Sequence, residues 1–256
     1  MKIKRAENKA FGVREGFTYT LCTAIILVCA LLTGSFSRSL TPSILTENIS
    51  YVNSGAVQNG ERVIILDAGH GGRDSGAIGL NGVLEKDLNL DIALMLRDML
   101  VFKGYKVVLT RKDDTMYYDE SIPLSKKAQD TRYRVDMTKK YEDCIFVSIH
   151  MNKFVSEKYS GLQVYYSQNT PESLEIARSV QSLAKELLQK DNNRQVKTSN
   201  ATIYVLDKAS VPAVLVECGF LSNAAENERL CDKEYRRDIA SVLFLALDSH
   251  LSNYRK

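Results

Sequence analysis

The sequence predicts a single α/β domain: a twisted, mainly parallel (mixed) sheet with helices on both faces, preceded by a hydrophobic N-terminal segment. Three observations support this. Short apolar runs alternate with helical patterns along residues 61–256, the signature of a sheet layered between helices. Several of those runs are apolar almost throughout, as parallel strands buried on both faces are. The stretch is also long enough to bury a core of its own.

Arg62–Asp67 reads as the first strand. Glu85–Phe102 follows as a helix, with Leu88, Ile92, Met95, Leu96 and Met99 at helical spacing. After a stop at Gly104, Tyr105–Thr110 is a strand. Ser125–Tyr141 is polar and helical, with Ala128, Tyr133 and Val135 on a thin apolar face. Asp143–Ile149 and Gly161–Tyr166 are strands, and Pro171–Lys190 is an amphipathic helix. Thr202–Leu206 and Ala213–Glu217 read as strands, and Glu234–Leu251 closes the domain as a helix. There is no internal repeat.

Residues 1–36 differ from the rest. Leu21–Leu32 is apolar, and with Phe17–Thr20 and Thr33–Phe36 it approaches the ~20 residues that span a bilayer. Lys2, Lys4, Arg5, Lys9 and Arg14 precede it, and only Arg38 follows closely. That asymmetry retains the N-terminus inside and exports what comes after. Residues 1–36 therefore read as a signal peptide or membrane anchor. The Ser-, Asn-, Thr- and Gly-containing stretch 37–60 reads as a linker, and 61–256 as the folded domain.

Charge follows the same division. Residues 1–60 carry six basic and three acidic side chains, which is the whole formal surplus of +3, so the domain itself is neutral. A neutral domain offers no basic stripe for nucleic acid. Beyond the leader the cysteines are Cys144, Cys218 and Cys231, an odd number without paired spacing, which argues against a disulfide framework. Cys144 reads as a small buried hydrophobe. Cys218 adjoins the candidate chemistry but lacks a spare histidine to activate it.

The chain has three histidines, and two of them, His70 and His150, sit at the ends of strand-like runs. Reactive groups of open α/β sheets collect at the carboxyl ends of strands. Two imidazoles delivered there suggest a metal, and a metal there suggests hydrolysis. In Asp67-Ala-Gly-His-Gly-Gly72 the glycines allow a tight turn that aims the His70 ring. The loop is no phosphate cradle, because it lacks the Gly-Lys-Ser/Thr ending and Asp74 stands where a Rossmann loop needs glycine. Glu85 opens the first helix, where helix-start electrostatics alone would explain an acid. Taken with His70 and His150, it completes the two-histidine, one-carboxylate set of catalytic zinc sites. The spacing is not that of a His-Glu-x-x-His helix. Glu217 ends the apolar run Ala213–Val216, and a carboxylate is costly to bury there without a task. It fits a general base that takes a water proton and passes it to a leaving amine. Spacing alone leaves open the reverse assignment, with Glu217 as ligand and Glu85 as base.

Four pieces in order, Leu66-Asp-Ala-Gly-His-Gly-Gly-Arg-Asp-Ser-Gly-Ala77, Glu85-Lys86, Ser148-Ile-His-Met-Asn152 and Leu215-Val-Glu-Cys-Gly-Phe-Leu-Ser-Asn223, resemble the zinc-dependent N-acetylmuramoyl-L-alanine amidases of the amidase-3 family. The resemblance runs from Val63 to the C-terminus. It implies that His70, Glu85 and His150 bind zinc, that Glu217 is catalytic, and that the fold is a twisted, mainly parallel sheet. The implied reaction is hydrolysis of the amide joining the lactyl group of N-acetylmuramic acid to L-alanine of the peptide stem in peptidoglycan. With a hydrophobic leader and no wall-binding repeats, the chain is most like the short sporulation and germination type. That type prepares spore cortex peptidoglycan for muramic-δ-lactam formation. An exported location follows, either secreted or membrane-anchored. Other readings are another exported zinc amide hydrolase (an N-deacetylase) or a wall-binding module with a dead site. One departure is that no Ala-Asn follows Arg132 or Arg134, so neither receives a role here. The stretch Thr110–Asp143 is short for an autoinhibitory plug, so a regulatory protein partner is expected instead.

Overall fold

The computed structural model describes residues 62–199 and 202–254; the expected signal or anchor segment 1–36 and linker 37–60 lie outside the described residues. Six strands form one sheet. They are β1 (Val63–Ala68), β2 (Lys106–Leu109), β3 (Cys144–Asn152), β4 (Gln163–Tyr166), β5 (Lys197–Thr198) and β6 (Ala213–Phe220). Among the described residues six helices accompany them: α1 (Glu85–Phe102), α2 (Lys126–Thr138), α3 (Pro171–Leu187), α4 (Tyr204–Lys208), α5 (Ala224–Cys231) and α6 (Lys233–Tyr254). The strand order is β2-β1-β3-β6-β4-β5. β2, β1, β3 and β6 run parallel, while β4 is antiparallel to β6 and parallel to β5, so the sheet is mixed.

The two faces are sorted by the period-two alternation of strands. Ile64, Leu66, Ile145, Val147, Val214 and Val216 face one core, completed by Ile92 and Leu96 of α1, Ile176 of α3 and Leu243 of α6. Val63, Ile65, Phe146 and Leu215 face a smaller second core, closed by Val135 of α2 and by Val205 and Leu206 of α4. Farther along each strand, this second face changes from apolar to polar. Beyond the row of Ile65 and Phe146, Asp67 pairs with Ser148, and in the row after that His150 pairs with Glu217.

Two expectations needed correction. Thr202–Leu206 is not a strand: its β-branched run enters the one-turn helix α4, because Val205 and Leu206 fill the second core from there. β3 and β6 each continue three residues past their expected ends, so His150 and Glu217 stand within paired strands rather than at their tips. The glycine turn around His70 goes further than expected, because His70 is itself left-handed, with φ 62°. For a residue with a Cβ this costs roughly 1–2 kcal/mol, so the surroundings must hold it. Among the described residues no helix is long and apolar enough to cross a membrane.

Candidate metal and catalytic site

Glu85 is the first residue of α1, and its buried carboxylate is the hub of the site. Oε1 lies 3.2 Å from His70 Nε2 and 3.0 Å from His150 Nδ1. Backbone amides fix it: Met151 N donates to Oε1 at 3.0 Å and Ala77 N to Oε2 at 2.7 Å. The two imidazoles meet edge to face, with ring centroids 4.9 Å apart. One donor atom from each of His70, Glu85 and His150 lies within 4.8 Å of the other two.

Room for this cluster comes from two glycines. A Cβ on Gly69 would stand 2.2 Å from the His150 ring. A Cβ on Gly76, whose φ is +65°, would stand 2.6 Å from Glu85 Oε2. Neither position tolerates a side chain while the cluster keeps its shape.

Contacts within the cluster shift the protonation of His70 and Glu85. Burial works against charge on His70, but hydrogen bonds to Asp74 and Glu85 outweigh it and raise the imidazole to about 9. Burial likewise pushes the Glu85 carboxyl up, yet the hydrogen bonds from His150 and His70 hold it well below the usual range. A protonated His70 and an ionised Glu85 thus favour each other. Two imidazoles and a carboxylate converging in this way fit a divalent ion in chemistry and in room.

Glu217 sits beside the cluster without joining it. Its backbone pairs with His150, and its Oε2 is buried with no hydrogen-bond partner. Burial pushes its carboxyl up to about 7, with the His150 charge pulling the other way. A carboxyl near neutrality can both accept and return a proton.

Sequence reasoning missed the supports. Asp74 Oδ2 holds His70 Nδ1 at 2.9 Å, the carboxylate–histidine pairing that orients metal-binding imidazoles. The hint was available, since Asp74 occupies a position where the loop departs from a Rossmann pattern. Of the two arginines left without a role, Arg132 is exposed, whereas Arg134 is buried and donates to His70 O at 2.7 Å and Ala68 O at 2.9 Å. Arg134 also pairs with Asp130 at 2.7 Å and with the buried Asp67. Asp67 takes further bonds from Ser148 at 2.6 Å and Thr110 at 2.7 Å. Arg111, also buried, donates to the carbonyls of Ala68, Gly69, Lys86 and Asp113. Two guanidinium groups therefore grip the backbone from Ala68 to His70 and hold the left-handed turn. Cys218 points to the opposite face, into the main core; burial pushes its thiol up, and it has no part in the site.

A family model described as N-acetylmuramoyl-L-alanine amidase (Amidase_3) matches residues 64–249. The chain belongs to this amidase family. A germination-specific N-acetylmuramoyl-L-alanine amidase of Bacillus subtilis is 35% identical over 185 residues, covering 72% of this chain and 77% of the relative. The N-acetylmuramoyl-L-alanine amidase AmiA of Escherichia coli is 30% identical, covering 72% and 74%. Among solved structures, the CwlD amidase of Clostridioides difficile in complex with the GerS lipoprotein superposes with a TM-score of 0.71 at 38% identity. It covers 75% of this chain and 99% of that one. The four-segment resemblance and the mixed α/β sheet with flanking helices are both borne out.

Proposed function

We propose that this amidase is an exported zinc enzyme that cuts the amide between N-acetylmuramic acid and L-alanine in spore cortex peptidoglycan. The activity on peptidoglycan comes with the family. The observation that carries the zinc reading is the convergence of His70, Glu85 and His150 donors within 4.8 Å, with Glu217 beside them. Zinc held by those three supplies Lewis acidity, which acidifies water and polarises an amide carbonyl.

The chain's own residues do the rest. Glu217 takes a proton from the attacking water as its oxygen adds to the lactyl carbonyl carbon. It then hands that proton to the alanine nitrogen as the C–N bond breaks, leaving a lactyl carboxylate and a free amine. Burial suits Glu217 to both tasks. Asp74 keeps the His70 ring oriented with Nε2 toward the cluster. Arg111 and Arg134 hold the loop that carries it.

The cortex assignment is supported by a relative named germination-specific; later formation of muramic-δ-lactam on the cleaved strands belongs to the same reading. In our reading residues 1–36 export or anchor residues 61–256 through the linker 37–60, placing the site in the forespore intermembrane space or wall. A regulatory protein partner fits the short Thr110–Asp143 stretch, and the CwlD relative is found with a lipoprotein.

Digesting purified peptidoglycan with the full chain plus zinc tests this. Mass spectrometry is expected to find stem peptides with free N-terminal alanine. Loss of acetyl groups instead would establish an N-deacetylase, and tight binding without release would establish a wall-binding module.

Metal binding also carries a pH signature. Without zinc, the raised His70 stabilises the fold fully below its ordinary value of 6.5, and that stabilisation is lost as pH rises through about 9. Lowered Asp74 and Glu85 contribute above their ordinary values of 3.8 and 4.5 and lose that contribution as pH falls. Zinc displaces the His70 proton, so its stabilisation grows as that proton becomes easier to lose. The Tm of zinc-free protein should therefore fall between pH 6.5 and 9, while the shift produced by added zinc increases. Equal zinc shifts at both ends of that range would contradict the ligand set.

A further inference from the structure

The row of side chains that contains the site does not end at Glu217. Across the antiparallel pair of β6 and β4, Glu217 faces Gln163, so His150, Glu217 and Gln163 follow one another on the same face of three adjacent strands. Gln163 is buried, and its Oε1 accepts a hydrogen bond from Arg194 Nη1 at 3.0 Å. Arg194 Nε donates to Ser160 O at 2.6 Å, and the guanidinium lies over the Phe220 ring, 4.5 Å from its centroid. The cation is thus fixed by an amide oxygen, a carbonyl and an aromatic face. Among the described residues it has no carboxylate partner.

Arg194 also lines a cleft of about 460 Å³ beside the chain entering β4. Lys158, Lys190 and Arg229 share that cleft, against Asp191 and Glu226. Glu226 is already engaged by the amides of Gly161 and Phe220, at 2.9 and 2.8 Å. The balance left over is cationic. A preorganised guanidinium with free donors is suited to a carboxylate, which it can take in two parallel bonds.

Resting on the amidase reading, we infer that Arg194 and its cleft form a specificity subsite for a carboxylate of the peptide stem, downstream of the bond that is cut. The row sets the direction: the glycan lies on the His70 side and the stem crosses β6 and β4 toward Arg194. One strand spacing from Glu217 to Gln163 plus a hydrogen bond to the guanidinium is roughly 8 Å, or two to three residues of extended chain. The carboxylate recognised therefore belongs to an acidic residue two to three positions along the stem.

Two measurements on the full chain with zinc test this, using stem peptides with that carboxylate free or converted to its amide. In calorimetric binding, the wild type is expected to prefer the acidic peptide on the order of tenfold. Arg194→Gln should erase the preference, and Arg194→Lys should keep part of it. In cleavage of muramyl peptides bearing the same two stems, Arg194→Gln should raise KM for the acidic stem about tenfold, with kcat within about twofold of wild type. An acid-to-amide ratio of one in the wild type, or one unchanged by Arg194→Gln, would overturn the subsite. Selective binding without cleavage would keep the subsite and remove the amidase reading.

Discussion

Glu217→Gln is expected to lower turnover by about 10²–10⁴-fold while the protein stays folded and keeps its metal. The amide has the shape of the carboxyl it replaces, so packing is preserved. Glu217 Oε2 has no hydrogen bond to lose, so the usual cost of breaking a buried polar contact does not arise. What disappears is the capacity to hold a proton near neutral pH, which burial creates by pushing the carboxyl up to about 7. Glu217→Asp retains the acid but withdraws it by one methylene, and a displacement of about 1 Å can itself cost on the order of 100-fold. Steady-state cleavage of muramyl peptides by both variants checks this. Activity of Glu217→Gln within threefold of wild type would remove Glu217 from the chemistry.

Arg134→Met should destabilise the fold by about 3–5 kcal/mol, the largest single loss expected outside the apolar cores. Asp67 is 1% exposed, and without Arg134 its charge stays buried with only the hydroxyls of Ser148 and Thr110. The same change strips the His70 carbonyl of its Arg134 bond and leaves the Ala68 carbonyl to Arg111 alone, releasing one of the two clamps on the left-handed turn. Urea unfolding measures the loss. Adding Asp67→Asn removes the stranded charge, so the double variant should recover part of the stability, as expected of residues in contact. A loss below about 1 kcal/mol for Arg134→Met, or strict additivity in the double variant, would contradict the clamp.

The difference between Glu217 and Arg134 also explains what was legible in the sequence. The residues proposed to do the chemistry stand out because they interrupt patterns: His70 among glycines, His150 and Glu217 in apolar runs. Two imidazoles and two carboxylates in such places leave few explanations. Their supports interrupt nothing. Arg134 and Asp130 are two more charges in a polar helix, and Asp74 is an acid in a loop; only the fold shows that they bond to the site. Arg111 is one more cation just past a strand, yet it holds four carbonyls.

Long elements were read well because their periodicity is sustained, as in α1, which runs from Glu85 to Phe102 as expected. Short ones were not. β5 has two exposed residues and no pattern to detect, and the eight residues of α5 are too few to show a sustained one. In α4 local preference pointed to a strand, but the second core needed Val205 and Leu206 on a helical turn. The division between ligand and base was open in the sequence as well. The geometry favours Glu85 as ligand, because its Oε1 meets both imidazoles while Glu217 stands apart.

Zinc content decides that division. Purified wild type and Glu217→Gln should each hold about one zinc per chain, measured by elemental analysis after dialysis against a weak chelator. His70→Ala, Glu85→Gln and His150→Ala should hold little, since each removes one of three ligands. Zinc retained by Glu85→Gln and lost from Glu217→Gln would contradict the account and exchange the roles of the two carboxylates.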